Sequence, residues 1–273
     1  MIEHTLNPVI VNLPGPLEIR YYGLIYVIGL AIGYFLLKHL VKEKKIKLTK
    51  EEVLDYIVYL AIGLLIGARV FYFIFYIPSV LLENPLNLLM IWDGGMSFHG
   101  GLVGAIIAGY IFCRKKKISS YKMADITVIP VAIALALGRI GDFINGELPG
   151  RTWQGALCIN YENNPYLSSP PEGCRIPSQI IEALKNILIF SALWFARTKK
   201  LQEGSLLWLF VLLYGILRFL VEFIRQPDPQ LGFFFGWMTM GQILSGIMVI
   251  VGSIMLYKLN YISTHKKQIK KSR

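Results

Sequence analysis

Seven apolar runs, each about as long as a bilayer is thick, alternate with short hydrophilic segments, a pattern that no water-soluble domain accommodates. A hydrocarbon core of ~30 Å takes roughly 17–25 helical residues to cross. The runs cover Tyr22–Leu40, Val53–Ile77, Phe98–Cys113, Met123–Leu137, Gln179–Ala196, Ser205–Ile224 and Met238–Leu259. Backbone groups in lipid must be hydrogen-bonded within the protein, so the runs read as helices. The expected fold class is therefore an all-α integral membrane protein of about seven transmembrane helices. The third and fourth runs are short and rich in Gly and Ala, as in helices that pack closely or break. Composition agrees: 16% of the residues are charged, against about 25% in soluble domains.

The basic residues orient the spans. Lys38–Lys50 holds six, Arg114–Lys122 five, Arg197–Lys200 three and Lys258–Arg273 six, which is 20 of the 28 in the chain, while the alternate segments hold five. The positive-inside rule then puts the amino terminus outside and the carboxyl terminus in the cytoplasm. The net charge of +11 lies in these blocks, so it marks topology and gives no reason to expect nucleic acid. The amino terminus lacks the basic region of a cleaved signal peptide, and the first span is expected to be retained. Trp92, Trp153 and Trp237 fall near outer boundaries, and Trp194 and Trp208 near inner ones, as interfacial belts. The expected organisation is a single multi-pass domain over 1–273, with residues 139–177 forming a small extracytoplasmic head between the fourth and fifth spans.

Cys113, Cys158 and Cys174 lack metal-ligand spacing, so no metal site is expected. Cys158 and Cys174 share the hydrophilic head and either pair in an oxidising compartment or remain two free thiols. Cys113, at the end of an apolar run, reads as a small apolar residue.

Polar residues gather toward the outer ends of the spans. Gly138–Arg151 places two arginines, two acids, an amide and four glycines where the fourth span ends. Tyr214, Arg218, Glu222 and Arg225 lie on one face of the sixth helix. Arg69, Tyr72 and Tyr76 share a face of the second, Gln179 and Glu182 open the fifth, and Tyr22 and His99 open the first and third. An ionised side chain in the bilayer costs about 2.5–3.5 kcal/mol on insertion scales, so partners are required. Arg218 and Glu222 form an i, i+4 pair, and Arg69 is expected to pair with Glu182. Arg69, Arg139, Arg218 and Arg225 must otherwise share Glu147, Glu182 and Glu222, with Asp142 and Asp228 as further carboxylates. A surplus of guanidinium at head-group depth fits a phosphate, whose oxygens match the planar fork. His99, flanked by Gly94, Gly95, Gly100 and Gly101, is either structural or a general base.

These residues resemble the prolipoprotein diacylglyceryl transferase family. Tyr22-Gly23, the His-containing Gly94–Gly101, the Gly138–Arg151 signature, Pro177-Ser178-Gln179 and Tyr214–Asp228 match its motifs in order, from residue 22 to 228. One position departs: the family signature has asparagine where this chain has Asp142. An ionised aspartate only accepts hydrogen bonds and would repel a phosphate unless protonated or turned toward Arg139, so it is left out of the binding set.

The resemblance implies transfer of the diacylglyceryl group of phosphatidylglycerol to the lipobox cysteine of a prolipoprotein, forming a thioether and releasing glycerol 1-phosphate. It implies a bacterial cytoplasmic (inner) membrane enzyme with its site toward the outer leaflet, acting without a cofactor and expected as a monomer. On that reading Arg139, Asn145, Gly150 and Arg218 bind phosphatidylglycerol, with Arg218 also steadying the leaving group. His99 is the candidate base, Tyr22 and Tyr214 are positioning donors, and Glu147 and Glu222 orient arginines or bind glycerol hydroxyls. The competing class is an anion transporter, for which intramembrane arginines and broken helices are common. No half-to-half similarity is visible, and the polar residues lie toward one face. A retinal-type receptor is disfavoured because the last span has no mid-span lysine.

Overall fold

The computed structural model describes residues 1–14, 18–90, 94–227, 234 and 236–271, the side chains of 81, 82, 85 and 262–271 excepted. Trp92, expected at an interface, and Asp228, expected as a further carboxylate, lie outside these residues. Each of the seven apolar runs holds a helix, the sixth ending at Val221, before Glu222 and Arg225. The helices are α1 (Tyr21–Glu43), α2 (Lys50–Phe75), a short α3 (Pro78–Glu83) followed by a 3-10 turn (Pro85–Leu89), α4 (Phe98–Lys116), α5 (Ser120–Ile144), α6 (Ser178–Ala196), α7 (Ser205–Val221) and α8 (Met240–Lys271). Five segments are long and apolar enough to cross a membrane: α1, α2, α5, α6 and the Met240–Tyr261 part of α8. Among the described residues, α4 and the 17-residue α7 fall outside that set.

The fold is helical as expected, with four short strands beside the helices. β1 (Ile2–Glu3) pairs in parallel with β4 (Ile159–Asn160), and β2 (Val9–Asn12) pairs antiparallel with β3 (Glu18–Arg20). One expectation is corrected: the fourth helix does not end at Leu137. It continues to Ile144, about two turns further, so Arg139 and Asp142 are helical residues.

The described chain forms two compact units, residues 1–33 with 124–273 and residues 34–123. In the second unit α2 starts in a capping box, with Glu52 N–H donating to Thr49 Oγ1 (3.2 Å) and Thr49 N–H to Glu52 Oε2 (2.8 Å). Its core contact is α2 against α4. A Cβ on Gly67 would lie 2.8 Å from Gly104 Cα, and one on Gly63 would lie 2.6 Å from Gly104 O. Two glycines four apart on α2, facing two on α4, let the backbones touch as small-xxx-small helices do. The Gly-rich third run is thus tightly packed and unbroken.

In the first unit, Ile126, Ile129, Ala132 and Ala136 of α5, Ile189 and Leu193 of α6, and Leu206 of α7 form the buried core. Asp125 of α5 caps α7 from outside the helix, accepting from Gly204 N–H (2.7 Å) and Leu207 N–H (2.8 Å). The hydrophilic head is held by a Cys158–Cys174 disulfide, Cα–Cα 5.4 Å, which decides between the two alternatives for those cysteines. Cys113 is free and buried.

Candidate active site

The site is organised by one carboxylate. Ser178, Gln179, Glu182, Lys185 and Asn186 line one face of α6, and all are buried. Ile189 and Leu193 continue that face as core. Glu182, 1% exposed, meets four cations. Arg139 Nε of α5 is 3.0 Å from its Oε2, Arg225 Nη1 3.1 Å and Arg218 Nη1 3.9 Å from its Oε1, and Lys185 Nζ 3.5 Å from its Oε2. Taking an isolated carboxylate out of water costs several kcal/mol, and here the surrounding cations offset that cost. The charges are thereby fixed in place before any ligand arrives.

Each arginine has a further constraint. Asp142 Oδ2 lies 2.9 Å from Arg139 Nη1, one helical turn along α5. The carboxylate that departs from the family pattern is therefore turned toward Arg139. Arg218 is ion-paired with Glu222 across one turn. Glu222 in turn sits on the amino end of α8, accepting from Thr239 Oγ1 (2.8 Å). A Cβ on Gly241 would come 2.6 Å from its Oε1. That end is closed by a Thr239/Gln242 capping box, and its partial positive charge favours the carboxylate. Tyr214, one turn before Arg218, places its ring 4.3 Å from Lys185 Nζ.

The second half of the signature is held by main-chain contacts. After α5 the chain turns through Gly146 (φ 67) and Leu148 (φ 53). Gln179 Nε2 donates to Glu147 O (2.6 Å) and Ser178 Oγ to Leu148 O (3.1 Å). A Cβ on Gly150 would approach Ile224 O to 2.7 Å and Ile176 O to 2.8 Å, so only glycine fits between these two backbones. Arg151 Nε donates to Arg225 O (3.0 Å). Asn145 Nδ2 meets Glu147 Oε1 at 3.4 Å, whereas Asn145 Oδ1 is buried without a hydrogen-bond partner among the described residues. Tyr22 packs on the signature helix, where a Cβ on Gly141 would come 2.8 Å from Tyr22 Cδ2, and its hydroxyl lies 3.2 Å from that of Tyr26.

In the second unit Arg69 is not used as expected. Its guanidinium donates to the backbone carbonyls of Asn87 (2.7 Å), Leu88 (3.3 Å), Met90 (2.5 Å), Gly94 and Gly95 (3.1 Å). The expected pairing with Glu182 is replaced by a clamp on the segment leading to α4. Ser97 then caps α4 through Gly100 N–H (3.3 Å), and His99 stands exposed in the first turn, its ring edge-on to Phe98 at 5.7 Å.

The sequence model described as prolipoprotein diacylglyceryl transferase matches residues 8–258. The chain belongs to this family. Among its relatives are proteins named phosphatidylglycerol--prolipoprotein diacylglyceryl transferase in Francisella tularensis. The subsp. holarctica (strain LVS) and subsp. novicida (strain U112) proteins are 40% identical over 266 residues, 96% of either chain. The subsp. tularensis (strain SCHU S4) protein is 40% identical over 268 residues, 97% of either chain. Together with the apolar helices, family membership makes the chain a multi-pass membrane protein.

For a diacylglyceryl transferase family member, two residues of the cluster escaped the motif-based reading. Glu182 enters the sequence reading as a carboxylate for Arg69, Arg139, Arg218 and Arg225 to share and not as a site residue, and Lys185 has no part in it. Their i, i+3 spacing, with Gln179 and Asn186 on the same face, is the signal that marks them. Of the expected site residues, the structure gathers Arg139, Tyr214, Arg218 and Glu222 around Glu182. Asn145, Glu147 and Gly150 form the turn beyond α5, and Tyr22 lies against that helix.

Proposed function

We propose that this protein transfers the diacylglyceryl group of phosphatidylglycerol to the lipobox cysteine thiol of prolipoproteins, forming a thioether and releasing glycerol 1-phosphate. The observation that carries the reading is the gathering of Arg139 and Arg218 on Glu182 in a chain of this family. Preset guanidinium groups stabilise the charge that grows on a phosphate monoester as its carbon–oxygen bond breaks. Arg139 and Arg218 take the phosphate, with Glu182 and Glu222 fixing their directions. The Asn145 carboxamide oxygen accepts from a glycerol hydroxyl, and Glu147, two residues on, assists. Gly150 contributes by letting the head close on Ile176 and Ile224. His99 takes the thiol proton as the carbon–sulfur bond forms, and Tyr22 and Tyr214 position the lipid.

On this reading the protein is a monomer of the bacterial inner membrane with seven spans. Its amino terminus and the 139–177 head lie outside, its carboxyl terminus is cytoplasmic, and the site opens to the outer leaflet. The deciding experiment incubates the purified protein with phosphatidylglycerol labelled in its acyl chains and a lipobox peptide. Label appears on the peptide cysteine with the wild type and not with Arg139→Ala. Equal transfer by both proteins overturns the phosphate assignment, and no transfer by the wild type overturns the function.

A further inference from the structure

Lys185 is the cation of the cluster with the least obvious reason to exist. It is 4% exposed, one turn along α6 from Glu182, in a helix apolar enough to cross the membrane. Its ammonium has no hydrogen-bond partner among the described residues. Among those residues it meets the Glu182 carboxylate at 3.5 Å and the face of Tyr214 at 4.3 Å. Removing it would leave Glu182 with three arginines, so it is not needed to neutralise that carboxylate.

Its effect is seen in the charge of the whole cluster. Among the described residues, four cations (Arg139, Lys185, Arg218, Arg225) and three carboxylates (Asp142, Glu182, Glu222) are joined by ion pairs. The cluster therefore carries one positive charge in surplus. A phosphodiester head group with no amine carries one negative charge, and a zwitterionic head group carries none. In a low-dielectric site a single uncompensated charge is felt strongly at ion-pair distances. Asp142 removes one charge from the arginine surplus, and Lys185 restores it.

We infer that Lys185 is a specificity-determining residue, supplying the surplus positive charge by which the Arg139–Glu182–Arg218 cluster selects a singly anionic phospholipid over a zwitterionic one. This rests on the proposed lipid-donor reading, and it concerns selection of the lipid, not the chemical step. Lys185 acts through the potential of the cluster and touches no reacting atom.

The test compares wild type, Lys185→Met, Lys185→Arg, Asp142→Asn and the Lys185→Met/Asp142→Asn double variant. Each is purified whole in detergent and assayed in mixed micelles for transfer and for equilibrium binding of phosphatidylglycerol against phosphatidylcholine. Methionine keeps the length of lysine, and exchange of a buried ion-pair member for an apolar residue is tolerated when no charge is stranded.

Lys185→Met is expected to lower the phosphatidylglycerol-to-phosphatidylcholine binding ratio about tenfold and to raise KM for phosphatidylglycerol to match, with kcat nearly unchanged. Lys185→Arg retains the wild-type ratio, Asp142→Asn raises it, and the double variant returns it toward wild type because the surplus is again one. An unchanged ratio in Lys185→Met, or a fall in kcat with KM and ratio intact, overturns the inference. If Lys185→Met is not recovered folded, Asp142→Asn decides, since a ratio that does not rise overturns the charge argument. Binding is read without turnover. A wild type that prefers phosphatidylglycerol yet transfers nothing therefore defeats the proposed function while leaving this inference standing.

Discussion

Arg69 and Arg139 are both guanidinium groups carried by apolar helices, and they are satisfied in opposite ways. Arg69 spends its donors on five backbone carbonyls of one segment, from Asn87 to Gly95, which together accept its fork without changing its charge. Arg139 instead faces two carboxylates, Asp142 and Glu182, the second shared with Arg218, Arg225 and Lys185. A guanidinium wrapped in carbonyls fixes a loop and has few donors left. Cations that share too few carboxylates hold their positions and still attract an anion. Intramembrane arginine is therefore no single signal, and its function is read from what its donors meet.

The sharpest way to break this comparison is to remove the shared carboxylate. In Glu182→Gln four cations face each other with Asp142 and Glu222 as their remaining carboxylates. Unfolding in detergent is expected to become easier by about 3–5 kcal/mol, the usual result of stranding buried charge, with transfer lost as well. A loss below about 1 kcal/mol would mean that the cations are held by something other than Glu182. The corresponding change at Arg69 is milder, because the carbonyls it leaves can take up water. Arg69→Met is expected to cost about 1–3 kcal/mol and to raise amide exchange at Ser97 and Gly100. Arg69→Lys does not rescue it, since one ammonium cannot span carbonyls on both sides of the fork. Full rescue by lysine would show that charge, and not geometry, is what the loop requires.

The two regions also differ in how far the sequence reveals them. The apolar runs are legible because hydrophobic length is a property of the chain itself, and the close packing of α4 is legible in its glycines, although its partner α2 is not. The length of α5 is hidden in the sequence because Gly138, Arg139, Gly141 and Asp142 look like a break. They remain helical because Arg139 is answered by Asp142 one turn on and by Glu182 from α6. Glu182 and Lys185 can be found by spacing once α6 is treated as an amphipathic helix whose polar side faces inward. The Arg69 clamp has no such signal, because every residue owns a carbonyl and only the folded loop says which five converge. The strands Ile2–Glu3 and Ile159–Asn160 are likewise invisible, each being too short to pattern and needing a partner far along the chain.

A third buried polar contact, outside the helices, sharpens the comparison by being uncharged. His4 lies between the end of the signature helix and the head: its Nε2 donates to Phe143 O (2.8 Å) and its Nδ1 accepts from Asn164 Nδ2 (2.8 Å). The Asn164 amide cannot turn over to oblige a second proton. The same Nδ2 also donates to Leu6 O (3.0 Å), and its Oδ1 accepts from Tyr166 N–H (2.9 Å). Burial holds the imidazole below its ordinary value of 6.5, against a smaller opposite effect of the Phe143 carbonyl. The folded state therefore binds the proton less readily than the unfolded chain does. Stability from this contact is complete above the unfolded value and is lost as pH falls through it toward the lower folded one. Thermal unfolding of wild type and His4→Gln, followed from about pH 7.5 down to about pH 5, should give curves that differ at neutral pH and converge in acid. The effect should be smaller than either arginine-region change, because one neutral ring is at stake and no charge is stranded. Curves that stay parallel would mean that the ring accepts its proton in the folded head, and that a buried polar contact here behaves like the charge-tolerant cluster around Glu182.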